Sequence, residues 1–215
     1  MLDKLLRAGS ASLSRAAVDR SALPSSDLSD ELARLLMVRN GFFAFESALL
    51  FRPCGVSDLP ILDSAAWNRL DTWKASYPET PEEVTFFAED LFGGQFGIAD
   101  DSIMQFFPET GELRTFASSF EEWATKIIED YEVVTGYPLA HDWQAENGPL
   151  APGHRLVPRV PFVLGGEFSV ANLRSVPEVA SMRFYGGLAH AIAGVPDGQV
   201  ISLELKDLSS VLDGL

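Results

Sequence analysis

The chain has 215 residues, 47% of them apolar, with a single cysteine and a formal net charge of −15. That length and apolar content support one large packed domain, or a domain with an extension, and exclude wholesale disorder. The charge argues against nucleic-acid backbones and anionic membranes as partners, and no apolar run approaches the ~20 residues that cross a bilayer.

The first twenty residues predict a loose helix or arm through Leu2, Leu5 and Leu6. With Asp3 near the start and only a short apolar stretch, they fit a secretory leader poorly. Pro24-Ser25-Ser26-Asp27 reads as a turn and cap. Leu28, Leu32, Leu35 and Leu36 follow at helical spacing, and Asn40-Gly41 closes that helix. Phe42 to Phe51 enters a sheet and ends at Arg52-Pro53-Cys54-Gly55. Asp63 is placed to cap a short helix carrying Trp67 and Leu70. From Val84 the period shortens. Val84–Glu89, Gln95–Ala99, Ser102–Phe107 and Leu113–Phe116 read as four strands of an antiparallel meander, separated by Gly93-Gly94, Asp100-Asp101 and Pro108-Glu109-Thr110-Gly111.

Phe86, Phe96, Phe106 and Phe116 recur every ten residues, about once per strand, which suggests one shared buried face. Phe87, Phe92 and Phe107 have no such account and are candidates for exposure at an interface. Ser119 and Glu122 have capping-box spacing, and Phe120, Trp123, Ala124, Ile127, Ile128 and Tyr131 share one helical face. Beyond Gly136 the expectation is a short helix over Pro138–Glu146, a loop over Asn147–Arg159, a strand over Pro161–Leu164, a helix over Pro177–Ile192 and a strand over Val200–Leu205.

The charge is unevenly spread. Residues 1–78 carry nine acids and nine bases; residues 79–132 carry fourteen acids against Arg114 and Lys126, a net of −12. Such a segment is either a solvated surface or a negative face that steers a basic protein partner. The residues offered for that face are Glu89, Asp90, Asp100, Asp101, Glu109 and Glu112, chosen for their density beside turns.

The chemistry-bearing motifs read mostly as architecture. Gly93-Gly94 is followed by a strand pattern and no Lys-Ser or Lys-Thr, so it is a hairpin and not a phosphate cradle. Leu91 and Phe92 interrupt the acids where a calcium loop needs oxygen ligands. His141, His154 and His190 are far apart in sequence and Cys54 stands alone, a poor basis for zinc or for a nucleophile. The lone cysteine also has no disulfide partner, which points to a reducing cytoplasm. No G-x-S-x-G elbow is present. Gly165-Gly166-Glu167-Phe168 is one acid short of the nucleotide-cyclase signature and reads as a tight bend. No catalytic residue, cofactor or metal ligand is assigned.

Taken in order, the helix ending in Asn40-Gly41 and preceded by Leu23-Pro24, the stretch VTFFAEDLFGGQFGI and the helix start ASSFEEWATKII resemble the SUKH superfamily. That group includes fungal cell-wall-synthesis regulators and many bacterial proteins. The resemblance covers residues 20–135. It implies an α+β domain with a single mixed or antiparallel sheet and flanking helices over residues 21–135, after an arm at 1–20. Residues 136–215 would then be a C-terminal α/β extension packed on the same domain. It also implies a non-enzymatic cytoplasmic immunity protein that neutralises a secreted, polymorphic or contact-dependent toxin by direct binding, the acidic segment complementing a basic toxin domain. The other reading is a regulatory or scaffolding module that binds a cellular protein.

Overall fold

The computed structural model describes residues 1–20, 23–196 and 198. Its strands are β1 (Phe42–Ala44), β2 (Leu49–Phe51), β3 (Thr85–Asp90), β4 (Gln95–Ala99), β5 (Ser102–Phe107), β6 (Glu112–Ala117), β7 (His154–Pro158) and β8 (Leu173–Pro177). Its helices are α1 (Leu2–Ala8), α2 (Asp27–Val38), α3 (Ser64–Trp67), α4 (Phe120–Glu129), α5 (Tyr131–Thr135), α6 (Tyr137–Asn147) and α7 (Glu178–Ile192). The first six strands form one antiparallel sheet in sequence order, and β7 and β8 pair separately. The expected α+β class and the meander are therefore observed.

Local chemistry sets the element ends. Ser26 Oγ accepts from the Ser29 amide at 3.2 Å and opens α2, burying Leu28, Leu32, Leu35 and Leu36. Asp63 accepts from the Ala66 amide at 2.8 Å, but α3 stops at Trp67 and leaves Leu70 exposed. Ser119 Oγ accepts from the Glu122 amide at 3.2 Å to open α4. The Glu122 carboxylate reaches back to the Ser118 amide and hydroxyl at 2.8 and 2.7 Å, one residue earlier than a capping box requires. The Asn40 side chain accepts from the Cys54 amide at 2.8 Å and donates to the Cys54 carbonyl at 2.9 Å. The Asn-Gly turn after α2 is thereby stitched to the segment that follows β2.

The sheet is covered on both faces. On one, α2 and α4 pack over Phe42, Phe51, Phe87, Phe96 and Ile103, with Trp123 edge-on to Phe51, Phe87 and Phe96. On the other, α7 and the segment carrying Trp67, Trp73 and Tyr77 pack over Phe86 and Phe106. The four phenylalanines at ten-residue spacing are thus divided between faces, contrary to the expectation of one face. Phe86 meets Phe106 at 5.7 Å, and Phe96 meets Phe116 at 5.0 Å. The cause is register: Phe96 lies opposite Gln105 and Phe106 opposite Gln95, so the two rings sit one residue apart in phase. Phe87 is wholly buried, while Phe92 and Phe107 are half-buried against Phe162 and Arg114.

A third cluster, with Ala48, Leu91, Ala140, Trp143, Leu156 and Leu173, joins α6 and the β7–β8 pair to the end of the sheet where the β1–β2, β3–β4 and β5–β6 turns lie. Leu156 N–H donates to the Leu91 carbonyl at 3.0 Å. Two expectations here are corrected. The stretch Asn147–Arg159 contains β7, because His154–Pro158 finds a partner in Leu173–Pro177, 15 or more residues away in sequence and invisible to a local pattern. Phe162–Leu164 is a 3-10 turn and not a strand, closed by Gly165 at φ 85°. The strand expected over Val200–Leu205 lies outside the described residues.

Gly186 sits in α7 where the helix crosses the 3-10 turn Lys74–Ser76, and a Cβ there would run into the Ser76 carbonyl oxygen. Gly→Ala in a helix normally stabilises by roughly 0.5–1 kcal/mol. Gly186→Ala is expected to reverse that sign and lower the urea midpoint; a raised midpoint would show that α7 does not pack this closely.

Candidate functional site

The six acids singled out in the sequence do not form one face. Antiparallel order puts Asp90, Glu109 and Glu112 at the end of the sheet that packs on β7 and β8, and Asp100 and Asp101 at the other end. The six residues of β5 separate them by about 20 Å at ~3.3 Å per residue. Asp100, Asp101 and Glu112 are exposed; Asp100 turns the chain with φ 49°.

Glu89 is the clearest departure from the expected face: it is completely buried and inaccessible to any partner. Its Oε2 accepts from Arg52 Nη2 at 2.7 Å and Gln95 Nε2 at 3.0 Å, and its Oε1 accepts from Arg155 Nε at 2.6 Å. Arg52 Nη2 also donates to Glu178 Oε2 at 3.0 Å, and its guanidinium lies 3.5 Å over the Trp67 ring. Trp67 Nε1 donates to Gln95 Oε1 at 2.9 Å, and the Leu62 amide donates to Glu178 Oε1 at 3.0 Å. Two acids and two arginines thus balance in charge within the core. Burial pushes the Glu89 carboxyl up, but the charges of Arg155 and Arg52 and the bond from Gln95 outweigh it and hold it below the ordinary range. β3, β4, β7, α7 and the segment leaving β2 all contribute a side chain, so the cluster fastens the C-terminal segment to the sheet. Its partners are up to 126 residues apart, so no local motif announces it.

Asp90 closes the β3–β4 turn. Its Oδ1 accepts from the amides of Phe92 and Gly94, both at 2.8 Å, and its carboxyl leaves no room for a Cβ on residue 94. Desolvation is the dominant influence on this carboxyl; with the nearby Glu89 it pushes the pKa up to about 7 against the two amide bonds. Glu109 also binds backbone: it accepts from the amides of Phe162 at 3.0 Å and Val163 at 2.7 Å, tying the β5–β6 turn to the β7–β8 loop. Burial raises its pKa, and the Val163 and Phe162 amides oppose that rise.

At the same end, Phe45, Glu46 and Ser47 form the β1–β2 turn with three successive left-handed residues, φ 52°, 50° and 70°. Residues of α5 and α6 hold it in place. Tyr131 stacks on Phe45 at 4.9 Å, Gln144 Nε2 donates to the Glu46 carbonyl at 2.8 Å, and His141 Nδ1 lies 3.0 Å from Glu46 Oε2. His141 therefore pairs with Glu46 across the fold. Among the described residues no group of three His, Cys, Asp or Glu side chains is placed to hold a metal ion, and no helix is long and apolar enough to cross a membrane.

No known protein family model matches the chain, and no curated protein matches it. In fold it is similar to the crystal structure of Atu4351 from Agrobacterium tumefaciens, with a TM-score of 0.57, 11% identity, and coverage of 87% of this chain and 89% of that one. Residues 20–135 alone could not make up that share, so the shared fold reaches into the C-terminal segment.

Glu89 and Asp90 set one stability outcome and one pH outcome. Glu89→Gln leaves the two arginines under-compensated and is expected to cost about 3–5 kcal/mol in urea unfolding at pH 7. The exposed control Glu132→Gln should stay within about 0.5 kcal/mol. Asp90 has a folded pKa of about 7 against an ordinary 3.8. The folded state therefore binds the extra proton within that window, and this group's contribution to stability falls as pH rises through it. Asp90→Asn keeps an oxygen for the two amides without the charge. Its thermal midpoint should match the parent near pH 4 and exceed it at pH 8; parallel profiles would refute the assignment.

Proposed function

We propose that this chain is a non-enzymatic binding protein, SUKH-like, that neutralises a secreted toxin of the polymorphic or contact-dependent type by direct contact in the cytoplasm. The observation that supports this reading is the outward-facing acidity of residues 79–132. Ten of the fourteen acids there are exposed, against the exposed bases Arg114 and Lys126, which pair with Glu112 and Glu122. A field of that sign accelerates encounter with a basic partner by long-range attraction, and rapid capture matters when the partner is destructive. The engagement of the other acids fits the same reading, since the buried Glu89 and the half-buried Asp90 and Glu109 all hold the fold together. The order of the Asn40-Gly41 turn, the glycine hairpin and the Ser119-Phe120-Glu121-Glu122 helix start adds the family resemblance.

The partner on this reading is the C-terminal domain of a large secreted protein encoded in the neighbouring reading frame. Co-expression of the chain with that domain should restore growth that the domain alone arrests, and the purified pair should bind with strongly salt-dependent association. Asp100→Lys with Asp101→Lys should slow association and flatten its salt dependence. Full protection with unchanged salt dependence would remove the steering role of that turn. No binding at all, with a cellular protein captured in its place, would favour the regulatory or scaffolding reading.

A further inference from the structure

The β1–β2 turn is held in a conformation that its own residues disfavour. Phe45, Glu46 and Ser47 all take left-handed backbone angles, and none of them is glycine. Left-handed backbone brings Cβ close to the following carbonyl oxygen, so each of the three adds strain. Within the turn the Ala48 amide donates to the Phe45 carbonyl at 2.9 Å. Other ties come from α5 and α6. Tyr131 stacks on Phe45, and Gln144 Nε2 donates to the Glu46 carbonyl. The Glu46 carboxylate lies 3.0 Å from His141 Nδ1 and accepts from the Tyr137 hydroxyl at 3.4 Å. Phe45 also packs against two core clusters, the one under α2 and α4 and the one that joins α6 to the sheet. The turn is thus a seam along which α5 and α6 meet the sheet. Among the described residues His141 is the one cation bonded to Glu46. The Glu46 hydrogen bond and charge raise the His141 pKa above its ordinary 6.5; burial opposes them and Asp142 adds to them. The remaining groups beside the pair, the phenols of Tyr137 and Tyr131 and the carboxylate of Glu132, never become cations.

From this geometry we propose that the β1–β2 turn is a pH-sensitive latch: protonated His141 holds Glu46 and keeps the strained turn closed, and loss of that proton lets the turn open more often. Phe45 leaves its stack on Tyr131 when the turn opens, so the attachment of α5 and α6 to the sheet loosens with it. The direction follows from the pair. A histidine whose pKa is raised in the folded state contributes its full stabilisation below the unfolded value of 6.5 and loses it as pH rises through the folded value. Neutral imidazole still donates from Nδ1 in one tautomer, so the tie weakens and does not vanish. Both side chains face water, which screens the pair. An exposed ion pair of this kind changes the opening of the turn by about two- to fivefold. The latch works on the chain itself and is independent of what the chain binds.

The test is amide hydrogen exchange of the full chain by NMR at pH 5.5 and pH 8.5, each rate corrected for that of an unstructured peptide at the same pH. The Ala48 amide is the reporter, because its bond to Phe45 breaks when the turn opens. From pH 5.5 to pH 8.5 its protection should fall about two- to fivefold more in the parent than in His141→Gln or Glu46→Gln. At pH 8.5 His141→Gln and the parent should have similar Ala48 protection and similar thermal midpoints, since the replaced side chain is exposed. The His141 ring signals should titrate above 6.5 in the parent and at a lower pH in Glu46→Gln. Asp90 lies opposite Leu49 of β2 and has a pKa of about 7, within the same range, but it is untouched in His141→Gln. An equal fall in the parent and His141→Gln would assign the pH dependence to Asp90 and overturn the latch. So would an Ala48 amide in the parent whose protection does not change with pH.

Discussion

A single carboxylate, Glu89, sits in the core between two arginines that come from opposite halves of the chain. Isolated, any one of these charges would be very costly to bury, because a low-dielectric interior strips its hydration and returns nothing. Together with Glu178 they form a balanced set whose hydrogen bonds replace much of the lost water. That balance has a topological consequence. Arg52 belongs to the segment leaving β2, Glu89 to the middle of the sheet, Arg155 to β7 and Glu178 to the first turn of α7. None can be solvated without exposing the others, so the C-terminal segment closes the sheet's second face and is held there by electrostatics as well as by Met182, Tyr185 and Leu188.

The same constraint explains what was legible in the sequence. Elements set by neighbours within a few residues read correctly: α2 from its leucine spacing and Ser26 cap, α4 from Ser119 and its aromatic face, the β3–β4 hairpin from Gly93-Gly94. Even there the detail depended on atoms no pattern specifies, since the glycine at 94 is required by the Asp90 carboxyl that caps the turn. What did not read was everything decided by register or by distant partners. Ten-residue spacing placed one phenylalanine on each strand but not on which side, because a one-residue change of phase moves a side chain to the opposite face. β7 is a strand only because β8 exists to pair with it. Glu89 and Asp90, adjacent in an acidic stretch, looked alike as surface charge. One is the hub of the core and the other a turn clamp, and only the arginines at 52 and 155 distinguish them.

With Glu89 buried, and the half-buried Asp90 and Glu109 engaged by backbone amides, the electrostatic picture changes without weakening. The acids that remain outside lie at both ends of the sheet and along α4 and α5, which makes a broad negative field and not a focused patch. Broad fields govern how quickly partners meet and fall off within about 10 Å at 0.1 M salt; they do little to fix how partners sit. Orientation needs short-range contacts with shape. At the end of the sheet where the β3–β4, β5–β6 and β7–β8 connections converge, Val160, Val163 and Phe168 are exposed.

That end is also where internal ties are densest. Asp90 clamps one turn, Glu109 joins a second to the β7–β8 loop, and Gln144 and Tyr131 hold the left-handed β1–β2 turn. Left-handed conformations at Phe45, Glu46 and Ser47 cost free energy that glycines would have avoided, and they persist because α5 and α6 over-determine them. Fixing loops this firmly lowers the entropy lost on docking, whatever docks. Acids that hold loops still and exposed acids that set a negative field are then two uses of one composition, separated by whether a carboxylate finds an amide or arginine inside the fold or is left facing water.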